Sequence, residues 1–226
     1  YMISHLLKKS TLAEDEYVLY DLEEIKYKEQ IYTGARSASF LKEGWQLITL
    51  ERLFKNFFGE SLYVSIYHIA EHEERFRFLV NQVERMTGLK NFGVYLNKLF
   101  TIDAFFLNED RHTHNIAVLI DEIGKYHYCP IFDNGAALLS DTTIDYPMNV
   151  PISELIENVR AKTFCTSFDE QLDIAEKLYG QYIRFEFDEK ELESILSQES
   201  HYANEVKVRV KNILLSQRRK YQYLFQ

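Results

Sequence analysis

Glycine and proline are scarce, with 8 and 3 residues among 226. A sandwich or barrel of many short strands needs turn residues about every 8–12 positions, so an all-β architecture is excluded and long helices are favoured. Cysteine is rarer still: Cys129 and Cys165 are too few for a disulfide framework, and both read as reduced packing residues. No apolar run approaches the ~20 residues of a membrane-spanning helix. Positive charge is in deficit, 26 Lys and Arg against 35 Asp and Glu, for a formal net charge of -9. That balance disfavours an anionic membrane or nonspecific nucleic-acid binding as the main activity, so neither partner is expected; the lack of a membrane-spanning run leads separately to the expectation of a cytoplasmic location. Apolar and aromatic residues are plentiful, 46% and 15%, which excludes disorder and supplies a sizeable core. No internal repeat, low-complexity tract or flexible linker interrupts the chain.

Polar chemistry concentrates in Asn108-Glu-Asp-Arg-His-Thr-His-Asn115, directly after a strongly apolar helical run. Asp110 and Asn115 are five apart, and Asp133 opens an Asp-x-Gly eighteen residues beyond Asn115. Between them, Ile116–Ile120 and Tyr126–Cys129 read as strands around a turn at 121–125, with Gly124 at its permissive position. A hairpin there would return Asp133 to the neighbourhood of Asn115. One carboxylate to orient an attacking hydroxyl, with an amide oxygen and a second carboxylate to hold magnesium against phosphates, is the requirement of phosphoryl transfer. Each of Asn108, Asp110, Asn115 and Asp133 also has an ordinary local use as a helix cap or turn former. Four in register favour the site. His112 and His114 could join Asp110 in a metal site, but i,i+2 spacing with no cysteine or third histidine nearby makes a poor zinc motif; His112 reads as a structural hydrogen-bonder and His114 as exposed.

The Asn-x-Asp-Arg-His-x-x-Asn segment, the hairpin and the following Pro-x-Phe-Asp (Pro130 to Asp133) resemble the active site of HipA-like bacterial serine/threonine protein kinases, with a weaker similarity to phosphatidylinositol-kinase-like enzymes. The resemblance implies an α+β, mostly helical fold: a kinase-like carboxy-terminal lobe with a reduced or incomplete mixed amino-terminal lobe. It implies Asp110 as the catalytic base, Asn115 and Asp133 as magnesium and nucleotide ligands, and ATP and Mg²⁺ as cofactors. A protein Ser/Thr acceptor and an antitoxin-like protein partner follow from the same likeness. Arg111, beside the base, would buttress the loop. The phosphate-covering loop and strand lysine of that family are not visible upstream, which keeps two alternatives open: a pseudokinase or binding module, and a small-molecule or lipid phosphotransferase.

The remaining pattern is organised as one kinase-like domain over 1–226, with 1–59 as the remnant of a small mixed lobe and 60–226 as the helical catalytic lobe. The helix-like start at Tyr1 leads to the expectation of further chain upstream. Tyr17–Ile25 and Gln30–Thr33 are expected to pair as strands, 34–41 to connect them onward, and Gln46–Phe58 to form one short helix ending at Gly59. Helices are expected from Ser61, at Glu71–Met86, Leu89–Leu107, Ser153–Lys162, Ser167–Leu178, Glu189–Gln198 and Asn204–Leu224. Ser167 and Glu170 fit a capping box. Residues 136–147 occupy the place of an activation segment, with Ser140, Thr142 and Thr143 as exposed hydroxyls. The basic residues of the last helix read as a solvated face opposite a packing stripe of Val206, Val210, Ile213, Leu214 and Tyr221.

Overall fold

The computed structural model describes residues 1–162 and 164–226. In chain order the elements are α1 (Met2–Leu7), β1 (Asp21–Tyr27), β2 (Gln30–Arg36), β3 (Gln46–Thr49), α2 (Leu50–Phe58), α3 (Leu62–Tyr67), α4 (His72–Thr87) and α5 (Phe92–Phe106). They continue with β4 (Ala117–Ile120), β5 (Tyr126–Tyr128), α6 (Ile152–Asn158), α7 (Phe168–Tyr179), α8 (Glu189–Gln198) and α9 (Asn204–Lys220). The architecture is α+β and mostly helical. The chain packs as two compact units, Tyr1–Phe40 with Ile183–Gln226, and Leu41–Tyr182.

In the first unit β1 and β2 form an antiparallel hairpin, in register from Asp21↔Arg36 to Tyr27↔Gln30. Lys28 takes a left-handed conformation (φ 54°) to make the two-residue turn. Gly34 is part of β2, where a Cβ would stand 2.9 Å from the Ile25 side chain, so the missing side chain is used for packing. Leu6 and Leu7 of α1, Leu192 and Leu196 of α8, and Ile213 and Leu214 of α9 are buried. The α8 start carries a full capping box, Asp188 with Glu191. Lys211 on α9 reaches Glu189 and Glu193 of α8, and Arg209, expected on the solvated face, is buried instead.

The second unit builds a three-stranded antiparallel sheet, β3-β4-β5, beside its helices. The expected helix over Gln46–Phe58 divides at Thr49, because Gln46–Thr49 pairs with Ala117–Ile120 of β4. The Thr49 hydroxyl then accepts from the Arg52 N–H and caps α2, which ends in a left-handed Gly59 as expected. The helix expected over Ser153–Lys162 stops at Asn158, since Val159 is extended. At α7, Ser167 accepts from the Glu170 N–H, while the Glu170 carboxylate is engaged by His72. Both cysteines are buried, free thiols.

Nearly every residue of α5 is buried, on all faces, because α4 and α7 pack against it. Phe76 of α4, Phe100 of α5 and Phe164 form one aromatic cluster, with ring centroids 5.1 to 5.4 Å apart. Helices α5 and α7 meet tightly at Gly93, where an added Cβ would fall 2.2 Å from the Tyr179 ring. Glycine inside a helix ordinarily costs about 1 kcal/mol against alanine. Here the sign reverses: Gly93→Ala should destabilise by about 1–3 kcal/mol through overpacking, measured by urea unfolding. A stabilised variant would mean that the two helices separate without cost.

Candidate active site

Helix α5 ends where its apolar surface ends. Leu107 adopts the left-handed conformation (φ 57°), and its N–H and that of Asn108 both donate to the Asp103 carbonyl. A β-carbon in that region costs roughly 1–2 kcal/mol, and burial of the Leu107 side chain holds it there. The loop then turns on itself. His112 N–H donates to the Asp110 carbonyl (3.0 Å) and Asn115 N–H to the His112 carbonyl (2.8 Å). The Asn115 side-chain NH₂ donates to the Asp110 carbonyl (3.0 Å), which turns its Oδ1 the other way.

Arg111 holds this loop to the strand exit beyond β5. Its Nη1 donates to the carbonyls of Asn115 (3.1 Å) and Phe132 (2.7 Å), and its Nη2 to the Asn134 side-chain oxygen (2.6 Å). The remaining donors engage Asp103, with Nε 3.0 Å and Nη2 3.0 Å from its carboxylate oxygens. Asn108 adds a third donor to Asp103 at 2.8 Å. Both charges are fully buried. Burial opposes them both: at Arg111 it is outweighed by Asp103, so the guanidinium is pushed further above its ordinary range, whereas at Asp103 it exceeds the return and pushes the carboxyl up. The forked geometry, with donors converging on acceptor-only oxygens, fits the ionised pair.

Two further ties fasten the loop. Glu51 in the first turn of α2 accepts from Thr113 Oγ1 (2.9 Å) and from the Tyr63 N–H (3.1 Å), while its own N–H donates to the Thr113 carbonyl (3.2 Å). Partial burial raises the Glu51 carboxyl, but hydrogen bonds from Ser61, Thr113 and Tyr63 and the charge of His114 more than offset it, leaving it below the usual range. On the other side, Leu138 N–H donates to the Phe106 carbonyl (2.8 Å), and the buried Tyr146 bonds Glu109. Leu138 and Leu139 also take left-handed conformations. Ser140 donates to the Gly135 carbonyl, and Ser140 is exposed.

Asp110 is half-exposed, with Oδ2 3.7 Å from His112 Nε2. Asn115 is nearly buried, and Asp133 is exposed at φ 55°, between the two residues that Arg111 grips. His112 accepts from the His114 N–H, and His114 is exposed, as expected of both. Asp103 and Glu51 escape a reading of the motif. The signal for Asp103 is a single acid within the otherwise uncharged run Leu99–Leu107. For Glu51 there is only its place in a helix first turn.

Arg111→Met should cost roughly 3–5 kcal/mol in urea unfolding, since it strands the Asp103 charge; replacing Asp103 by Leu as well should recover part of that loss. Equal losses in both variants would mean that the stranded charge is not the cause. Glu51→Gln should lower Tm at pH 7. Because the folded-state carboxyl of Glu51 is depressed, its contribution is present above the ordinary carboxylate range and fades as pH falls through the depressed value, so the Tm difference between wild type and variant should shrink as pH falls below that range. A Tm difference unchanged from pH 7 to pH 3 would refute the carboxylate's role.

No known family profile matches the sequence, and no curated protein sequence matches it. Among solved structures, the crystal structure of a Helicobacter pylori proinflammatory kinase, CtkA, is similar, with a TM-score of 0.66 at 15% identity over 99% of this chain and 79% of that one. At that identity the likeness is one of fold, and the fold is kinase-like.

Proposed function

We propose that this chain is a HipA-like kinase that transfers the γ-phosphoryl group of ATP to a protein Ser or Thr hydroxyl. The observation that carries the reading is the Arg111 clamp. One guanidinium binds the Asp110–Asn115 loop and both neighbours of Asp133, so the three residues that the chemistry needs are tied to a common buried anchor. The kinase-like fold supports the same reading.

Asp110 accepts a hydrogen bond from the acceptor hydroxyl, orients it toward the γ-phosphorus and takes its proton. Its partial exposure suits a group that must meet a macromolecular substrate. Asn115 and Asp133 supply the oxygen donors that suit magnesium: the Asn115 NH₂ is committed to the Asp110 carbonyl, which leaves its carbonyl oxygen for the ion. Bound there, Mg²⁺ would neutralise charge on the phosphates. Arg111 positions all three and does not face substrate.

A pseudokinase is the second reading, favoured by the place of Gly34 inside the β1–β2 pairing, opposite Glu23, and not in a phosphate-covering loop. One experiment separates the two: γ-labelled ATP with Mg²⁺ and a generic Ser/Thr protein acceptor, run beside nucleotide-binding calorimetry. Asp110→Ala should reduce transfer by about 10²-fold or more with nucleotide binding spared. Asp133→Ala should weaken Mg²⁺-dependent nucleotide binding itself. Wild type that binds nucleotide without transfer supports the pseudokinase, and wild type that binds none at any Mg²⁺ concentration refutes the kinase.

A further inference from the structure

Away from the loop just described, the starts of α4 and α7 bring together three side chains of different chemistry. A ring nitrogen of His72, the thiol of Cys165 and a carboxylate oxygen of Glu170 all lie within 4.8 Å of one another. His72 opens α4, Cys165 lies two residues before the Ser167 N-cap of α7, and Glu170 stands in the first turn of α7. We infer that His72, Cys165 and Glu170 form a binding site for a zinc-class divalent cation that ties the starts of these two helices.

Nitrogen, thiolate sulfur and carboxylate oxygen are all donors that zinc accepts, at about 2.0–2.3 Å, and a tetrahedral ion at those lengths keeps its ligands roughly 3.3–3.8 Å apart. His72 Nδ1 and Glu170 Oε1 stand 2.5 Å apart, in a hydrogen bond. An entering ion replaces that hydrogen bond, displaces the Cys165 thiol proton to solvent and moves the His72 and Glu170 side chains about 1 Å apart. Their partial exposure, 33% and 46%, permits this without a backbone shift. The sulfur decides the class: magnesium and calcium select oxygen, whereas a mixed N, S, O set suits zinc and its late first-row neighbours. Thiolate and carboxylate together neutralise a divalent charge. They are needed, because helix N-termini are electropositive.

The cysteine is held in place before any ion arrives. Arg75 donates from Nη1 to the Phe164 carbonyl (2.8 Å) and from Nε to the Ile69 carbonyl (2.7 Å), fixing the loop that carries Cys165 to the approach and body of α4. The Phe164 ring is locked between Phe76 and Phe100. Three protein ligands on a partly exposed site leave the fourth position to water, the coordination of an open zinc site rather than a closed structural one.

The test uses the full chain, stripped by chelator and titrated with Co²⁺ as a spectroscopic probe. Wild type should show a sulfur-to-cobalt charge-transfer band that saturates at one ion per chain and disappears when Zn²⁺ is added. Cys129→Ser should retain the band and Cys165→Ser should lose it. His72→Ala and Glu170→Gln, both partly exposed positions, should weaken the apparent cobalt affinity by about tenfold or more, since even outer-shell partners are worth 10–100-fold. They also serve if Cys165→Ser fails to fold. No band at excess cobalt in wild type would leave an imidazole–carboxylate hydrogen bond and no metal site. A band that survives in Cys165→Ser, or affinities unchanged in the other two variants, would overturn the assignment equally.

Discussion

Burying a guanidinium and a carboxylate together costs several kcal/mol per ion before any attraction is counted, and a well-packed apolar pair of the same volume is often the more stable choice. The pair of Arg111 and Asp103 therefore asks for a reason beyond stability. That reason lies in the donors left over once Asp103 is satisfied. A guanidinium offers five N–H groups in a fixed plane, so an arginine anchored at one edge presents the other edge with little freedom to adjust. That second edge collects carbonyls and an amide oxygen from segments 17 to 19 residues apart in sequence, Asn115 on one and Phe132 and Asn134 on the other. The ion pair sets where the polar loop stands relative to the segment after β5, and the neighbouring ties to Glu51 and Tyr146 hold what it has placed.

The same region carries an unusual share of left-handed backbone. Leu107, Asp133, Leu138 and Leu139 all have φ near 55° without being glycine. Each such residue is unfavourable and persists only where its surroundings over-determine it. Leu107, Leu138 and Leu139 are held by burial, and Leu138 also by its bond to Phe106. The helix exit and the segment beyond Gly135 thus brace each other, an arrangement in which local preference yields to tertiary packing.

What could be read in the sequence follows from where its determinants lie. The bounds of α4 and α8 fall within a residue of expectation, because their apolar spacing and their caps or left-handed glycine are local. The β4–β5 hairpin is equally local, with Gly124 and the Asp121 side chain closing the turn. β3 is different. Its residues suit a helix by spacing and become a strand only through pairing with β4, about seventy residues later in the chain. At the loop, the role of Arg111 as a buttress is legible from its place in the motif, whereas Asp103 is marked only as the one acid in the otherwise uncharged run Leu99–Leu107, and nothing local points to a partner supplied by the next loop. The Glu170 carboxylate illustrates the same limit, since the capping box expected with Ser167 yields to a histidine from a distant helix.

The burial of α5 on every side has a consequence for how the protein comes into being. Its α7 partner begins more than sixty residues after α5 ends. At a synthesis rate of about 5–20 residues per second, several seconds pass between the emergence of an all-round apolar helix and the arrival of the surface that covers it. During that interval Phe92, Leu96, Leu99 and Phe100 have only α4 and their own neighbours for shelter. The nascent chain is then most exposed to premature association and most in need of a chaperone, and the vulnerability ends only when Tyr179 closes over Gly93.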